Sequence, residues 1–212
     1  MAGSVTRHRL NPIGAWGLPA GIAAACVLVA LTHSAPALRY ERALIGAEPW
    51  RLLTGHLAHL GWTHLALNLA GLAAMWALLG ALLRPAAWLA VVLVCALGVS
   101  GGLYFLDPGL DWYVGLSGVL HGMVAAGAAA GMRRDPLFHG VLLAGVVAKV
   151  AAEQLTGAEL GSAALVGGNV VVDAHMYSLA AGLLLAPLAW WDAGRVAGRS
   201  QDRRPPPVGN SL

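Results

Sequence analysis

The chain has 212 residues, of which 58% are hydrophobic and only 11% charged, with a formal net charge of +3 and a mean hydropathy of +0.68. A soluble domain carries roughly 25% charged residues, so this composition excludes a water-covered globule and marks an integral membrane protein. The two cysteines, Cys26 and Cys95, both lie inside apolar runs and provide neither a disulfide framework nor a zinc-ligand spacing.

In chain order, six apolar runs are long enough to be read as membrane helices: 13–32, 60–83, 86–106, 116–131, 137–155 and 171–191. The fourth is short and glycine-rich. The expectation is an all-α protein with a six-helix bundle over 13–191, a cytoplasmic N-terminal segment over 1–12, and no internal repeat. Residues 1–37, with arginines, an apolar stretch and "APA" at 35–37, resemble a secretory signal peptide. The apolar stretch of about 19 residues exceeds the usual 7–15, so the segment is expected to stay as the first span. From Asp192 to Leu212, ending "RRPPPVGNSL", a disordered basic tail near lipid head groups is expected.

Orientation follows from the arginines, twelve against the single Lys149. Six spans put Arg7, Arg9, Arg84, Arg133, Arg134 and Arg195 on one side, which the positive-inside rule assigns to the cytoplasm. Both termini are then cytoplasmic. The arginine bias with abundant alanine and glycine hints at a bacterial source, hence an inner-membrane protein.

Polar side chains in lipid are costly and ask for a reason. Spans two, four and six run in the same direction, and each opens with such residues. Span two carries His56, His59, His64 and Asn68; span four carries Ser117 and His121; span six carries Asp173, His175 and Ser178. All fall in the outer half of the bilayer, near three parallel helix N-termini. That common depth points to one site with water access from outside, through a cavity lined by His59, His64 and Asn68.

In "GLSGVLHG" (115–122) a lone hydroxyl stands at a helix start. A nucleophile needs a base and donors for an oxyanion. Ser117 supplies the hydroxyl, and the Ser117 and Gly118 N–H groups lack intrahelical acceptors. His175 is the favoured base because it approaches from another helix. His121 is its rival, one turn below the serine and poorly placed to protonate a leaving amine. Gly118/Gly122 and Gly127/Gly131 form two GxxxG spacings on span four, and with Gly182 they read as the close-packing face toward span six.

These residues resemble the rhomboid family of intramembrane serine proteases over about Trp50 to Gly182. Trp50–Arg51 is similar to the family's "WR", His59, His64 and Asn68 to its H-x4-H-x3-N, Gly115–Gly118 to its GxSG, and Ala174–His175 to its "AH". "GLSGVLHG" is similar to the rhombosortase branch, linked to proteins with Gly-Gly C-terminal anchors. The resemblance implies Ser117 as nucleophile and His175 as base in a dyad without a carboxylate, with His64, Asn68 and the Ser117 N–H as the oxyanion hole. It implies substrates held by a C-terminal anchor helix, and the lipid bilayer as surroundings. No cofactor, metal or nucleic-acid partner is expected. Two departures stand out. His121 replaces a tyrosine that packs on the histidine, and Ser178 replaces the glycine of AHxxG, which should hold span six further from span four.

Lys149 and Glu153 form an i, i+4 pair on span five, read either as mutual neutralisation or as a substrate contact. The loop 156–169, rich in small residues, reads as a lid. Two other readings compete: a catalytically silent rhomboid-like helix chaperone, favoured only by Ser178, and a haem or metal protein using His56, His59, His64, His121 and His175.

Overall fold

The computed structural model describes residues 12–158 and 170–202, with 165 and 168, and side chains from 16 to 198 within these. Most of the expected lid, the expected N-terminal segment up to residue 11 and the tail beyond 202 lie outside the described residues.

Helices stand at all six apolar runs: α1 (Pro12–Leu31), α4 (Trp62–Leu79), α5 (Pro85–Leu106), α6 (Ser117–Gly131), α7 (Pro136–Thr156) and α8 (Val172–Leu184). Short turns α2 (Ala35–Leu38) and α3 (Arg51–Thr54) fill the first connection, and α9 (Ala186–Asp202) follows α8. Proline opens α5 and α7, where a missing N–H costs nothing. Among the described residues, Trp62–Leu82, Pro85–Leu106 and Pro136–Thr156 are long and apolar enough to cross a membrane, and α8 with α9 makes a fourth if taken as one bent span. The chain is therefore a multi-pass membrane protein. The 15 residues of α6 reach only about 22 Å at 1.5 Å per residue. Eleven of them are buried, so protein rather than lipid surrounds this helix.

The sixth run is not one straight helix. α8 and the helical stretch Ala186–Gly198 meet at 54°. Pro187 lacks an N–H and crowds the carbonyl one turn earlier, which breaks the ladder there. Helix then continues to Asp202, through the first part of the expected disordered tail. Buried Asp192 fixes it by accepting from the Arg84 backbone N–H at 2.9 Å and pairing with the Arg84 guanidinium. Arg133 lies over the Trp190 ring at 3.9 Å and Arg195 over Trp191 at 4.5 Å. Aromatic rings and arginines of this kind favour a membrane–water boundary.

One end of the bundle carries the connection between α1 and α4. Its strand β1 (Tyr40–Glu41) pairs antiparallel with β2 (Trp112–Tyr113), a two-residue ladder and the only strand pairing among the described residues. Buried Arg51 holds this segment by donating to the Arg39 carbonyl at 2.9 Å and to Glu48 Oε2 at 2.5 Å. Arg42 donates to the carbonyls of Leu103, Tyr104 and Asp107, the open C-terminal end of α5, where a cation is favoured. Tyr40, Val99, Leu103, Tyr113 and Ala174 form an apolar cluster beneath it.

α6 is the axis of the bundle, packed by α4, α5, α7, α8 and α9. Its contact with α8 is backbone-close. A Cβ on Gly182 would stand 2.2 Å from the Gly122 carbonyl oxygen, and one on Gly122 would stand 2.4 Å from Ser178 Oγ. The expectation that Ser178 props the helices apart gives way here. Its hydroxyl occupies the space left by Gly122 and accepts that residue's N–H at 3.2 Å. Only the first GxxxG serves this contact, because Gly127 faces Leu79 and Trp88 and Gly131 faces His139.

Gly182→Ala is expected to destabilise the protein by about 1–3 kcal/mol through overpacking. Thermal unfolding in detergent checks this, and an unchanged midpoint contradicts the contact.

Candidate active site

The chain reaches α6 through Gly115, whose φ of +126° is strained for any side chain. A Cβ there would also stand 3.0 Å from the His64 ring. The approach is tied down by the Tyr113 hydroxyl donating to the Gly115 carbonyl at 2.8 Å and by the Gly115 N–H donating to the Gly55 carbonyl at 3.2 Å. Ser117 is then the first residue of α6, at the positive end of the helix. Its Oγ lies 3.1 Å from Nε2 of buried His175 on α8.

His64 and Asn68 share one face of α4 and are both buried. The Leu60 N–H donates to His64 Nδ1 at 3.3 Å, which leaves the ring proton on Nε2. That Nε2 points toward Gly115, beside Ser117 Oγ. Asn68 Nδ2 donates one hydrogen to the His64 carbonyl at 2.9 Å and has a second. His59 packs edge-on against His64 with centroids 5.0 Å apart, and its Nδ1 meets the Leu57 carbonyl at 3.1 Å. It braces His64, and contrary to expectation it lines neither of the two cavities at the serine described below.

Gly118, whose N–H is expected to serve the oxyanion, also has to be without a side chain, since a Cβ would press on the Tyr113 hydroxyl and on the Ala174 carbonyl at 3.0 and 3.2 Å.

His121 stacks on His175, with centroids 4.0 Å apart and 19° between planes. Its Nδ1 donates to the Ser117 carbonyl at 2.8 Å, not to the hydroxyl. The two histidines therefore divide the serine between them, and only His175 meets Oγ. On the other side of His175, Glu153 Oε2 on α7 accepts from Nδ1 at 2.9 Å. Glu153 is fully buried and its Oε1 pairs with Lys149. The resemblance implied a site without a carboxylate, and the side chains bring one in.

A cavity of about 260 Å³ opens on this group, lined by His64, Asn68, Ser117, His121, Lys149 and His175. A second, of about 210 Å³, lies under Trp112 and Tyr113 and shares His64 and Ser117 with the first. The five-histidine reading fails on geometry. His56 is buried against α5, with Nε2 at 3.0 Å from the Ala96 carbonyl and 3.1 Å from Ser100 Oγ. Among the described residues, His121, Glu153 and His175 do bring ligand atoms within 4.8 Å of one another. The Lys149 ammonium already supplies a positive charge to that carboxylate.

Residues 46–192 match the family model for the rhomboid domain, a stretch that contains every group above. The chain belongs to the rhomboid family. No curated protein matches it.

Rhomboids are generally intramembrane serine proteases, and in this one the serine and histidine that the family resemblance marks are hydrogen-bonded across two helices. The sequence offered Glu153 as a partner of Lys149 or a substrate contact, and what it did not reveal is the bond to His175. Its signal is faint: an i, i+4 partner for the only lysine, at the level of His175.

Gly115→Ala in this rhomboid is expected to lower reactivity toward a serine-directed fluorophosphonate by at least about 100-fold, because backbone strain of ~1–3 kcal/mol adds to displacement of His64. Labelling at the wild-type rate contradicts the geometry.

Proposed function

We propose that this rhomboid is a serine endopeptidase of the rhombosortase type, cleaving the C-terminal membrane anchor of secreted or surface proteins. The observation that carries the reading is the 3.1 Å contact between Ser117 Oγ and His175 Nε2, at a helix start beside a cavity. In this reading six helices span a bacterial inner membrane with both termini in the cytoplasm. The site opens toward the periplasm, as the arginine distribution supports.

Ser117 Oγ attacks the carbonyl carbon of the scissile bond while its proton passes to His175 Nε2. The oxyanion receives the Ser117 N–H, the His64 Nε2–H and the second hydrogen of Asn68. When the intermediate collapses, the C–N bond breaks and the amine takes the proton from His175. Water then gives a proton to His175 and attacks the acyl-serine, releasing the acid and restoring the hydroxyl.

A peptide bond in a regular helix is shielded by its own hydrogen bonds. An anchor with small residues such as Gly-Gly ahead of its apolar helix unwinds at lower cost. This chemistry, with the "GLSGVLHG" resemblance, supports a Gly-Gly-anchored substrate. The silent-chaperone reading loses its one argument, since Gly122 accommodates Ser178.

A reporter carrying a Gly-Gly C-terminal anchor, co-expressed with the protein in bacterial membranes, tests the proposal. Release of the reporter is expected with wild type, none with Ser117→Ala, almost none with His175→Ala, and about a tenth with His121→Ala. Undiminished release with Ser117→Ala would overturn it.

A further inference from the structure

We infer that Glu153 is a positioning residue for His175, completing a Ser117–His175–Glu153 relay in which Lys149 sets the orientation of the carboxylate. The inference rests on the protease reading above and adds a third member to its site. Each ring nitrogen of His175 has one polar partner, Ser117 Oγ at 3.1 Å and Glu153 Oε2 at 2.9 Å. A carboxylate can only accept, so the proton on Nδ1 is fixed and the Nε2 lone pair faces the serine hydroxyl. When Ser117 gives up its proton, the imidazolium that forms lies directly against a negative charge.

The burial makes the arrangement specific. Glu153 is 0% exposed, and an unpaired carboxylate there is strongly unfavourable. If its task were only to neutralise Lys149, which is 34% exposed, the pair could sit at the cavity edge. Instead the two oxygens are divided, Oε1 to the ammonium and Oε2 to the imidazole. The pair lies one helical turn apart on α7, so Lys149 holds the carboxyl plane while Oε2 reaches α8. Stacked His121 covers one face of the ring and, with its proton on Nδ1 toward the Ser117 carbonyl, leaves the His175–Glu153 bond intact.

Lys149 also dictates what an amide would do in place of the carboxylate. The ammonium has only hydrogens to offer and takes the amide oxygen. The NH2 then faces His175 Nδ1, which must present a lone pair, and the ring proton moves to Nε2. In that form His175 cannot accept the proton of Ser117. Removing Lys149 as well frees the amide to rotate its oxygen toward Nδ1.

The test uses the full-length protein in detergent, with the inactivation rate by a fluorophosphonate probe and nitrogen NMR of labelled histidine as readouts. Glu153→Gln is expected to lower the maximal inactivation rate by about 100-fold or more with unchanged probe affinity. The His175 proton is expected to shift from Nδ1 to Nε2. Lys149→Met combined with Glu153→Gln is expected to recover at least about tenfold and to return the proton to Nδ1. A Glu153→Gln rate within threefold of wild type, or a loss of rate without a change of tautomer, overturns the inference while leaving Ser117 and His175 in place. A wild-type spectrum with the proton on Nε2 overturns it without any variant. Failure of the protease reading is separate, since it appears as undiminished labelling of Ser117→Ala.

Discussion

The contact on which this molecule depends is the bare backbone-to-backbone approach of α6 and α8. Gly122 and Gly182 bring the helices so close that neither tolerates a Cβ, and Ser178 spends its hydroxyl on the Gly122 N–H. Ser117 and His175 each lie one to two turns from that contact, toward the N-terminal ends of their helices. Their separation of 3.1 Å is therefore set by glycines deeper in the bundle rather than by the polar groups themselves. Lipid gives no hydrophobic drive for two helices to associate, so small residues and interhelical hydrogen bonds carry the task.

Around that axis the polar groups of the site support one another in series. Tyr113 secures Gly115, Leu60 orients His64, and His64 in turn holds one hydrogen of Asn68. Lys149 balances Glu153, which meets His175. The connection between α1 and α4 is clamped separately, with Arg51 on its own carbonyls and Arg42 on the end of α5. Rigid support of this kind is what a site for proton transfer requires, because small displacements of the reacting atoms cost large factors in rate.

Much of this was legible in the residues. Helices stand at all six hydropathy runs, and the equal depth of Ser117, His175, His64 and Asn68 follows from parallel helices alone. The rest depended on which helix face meets which neighbour, information that spacing does not hold. Gly127 and Gly131 repeat the spacing of Gly118 and Gly122, yet they face α4, α5 and α7. A Cβ on Gly118 would press on the hydroxyl of a tyrosine that lies five residues back across a turn. Glu153 reads as a partner for Lys149 because the i, i+4 rule is local, whereas its bond to His175 spans two helices. The bend at Pro187 and the helix beyond Asp192 were hidden by the fall in hydropathy, which marks the end of an apolar run but not the end of a helix.

The proposed chemistry stands or falls on whether the hydroxyl at the start of α6 is activated by the imidazole on α8. Peptide mapping by mass spectrometry after treatment with a serine-directed phosphonate reads this directly. The account predicts a single covalent adduct on Ser117, absent when His175 is replaced by alanine. An adduct on Ser100 or Ser178, or equal modification of Ser117 without His175, would contradict it.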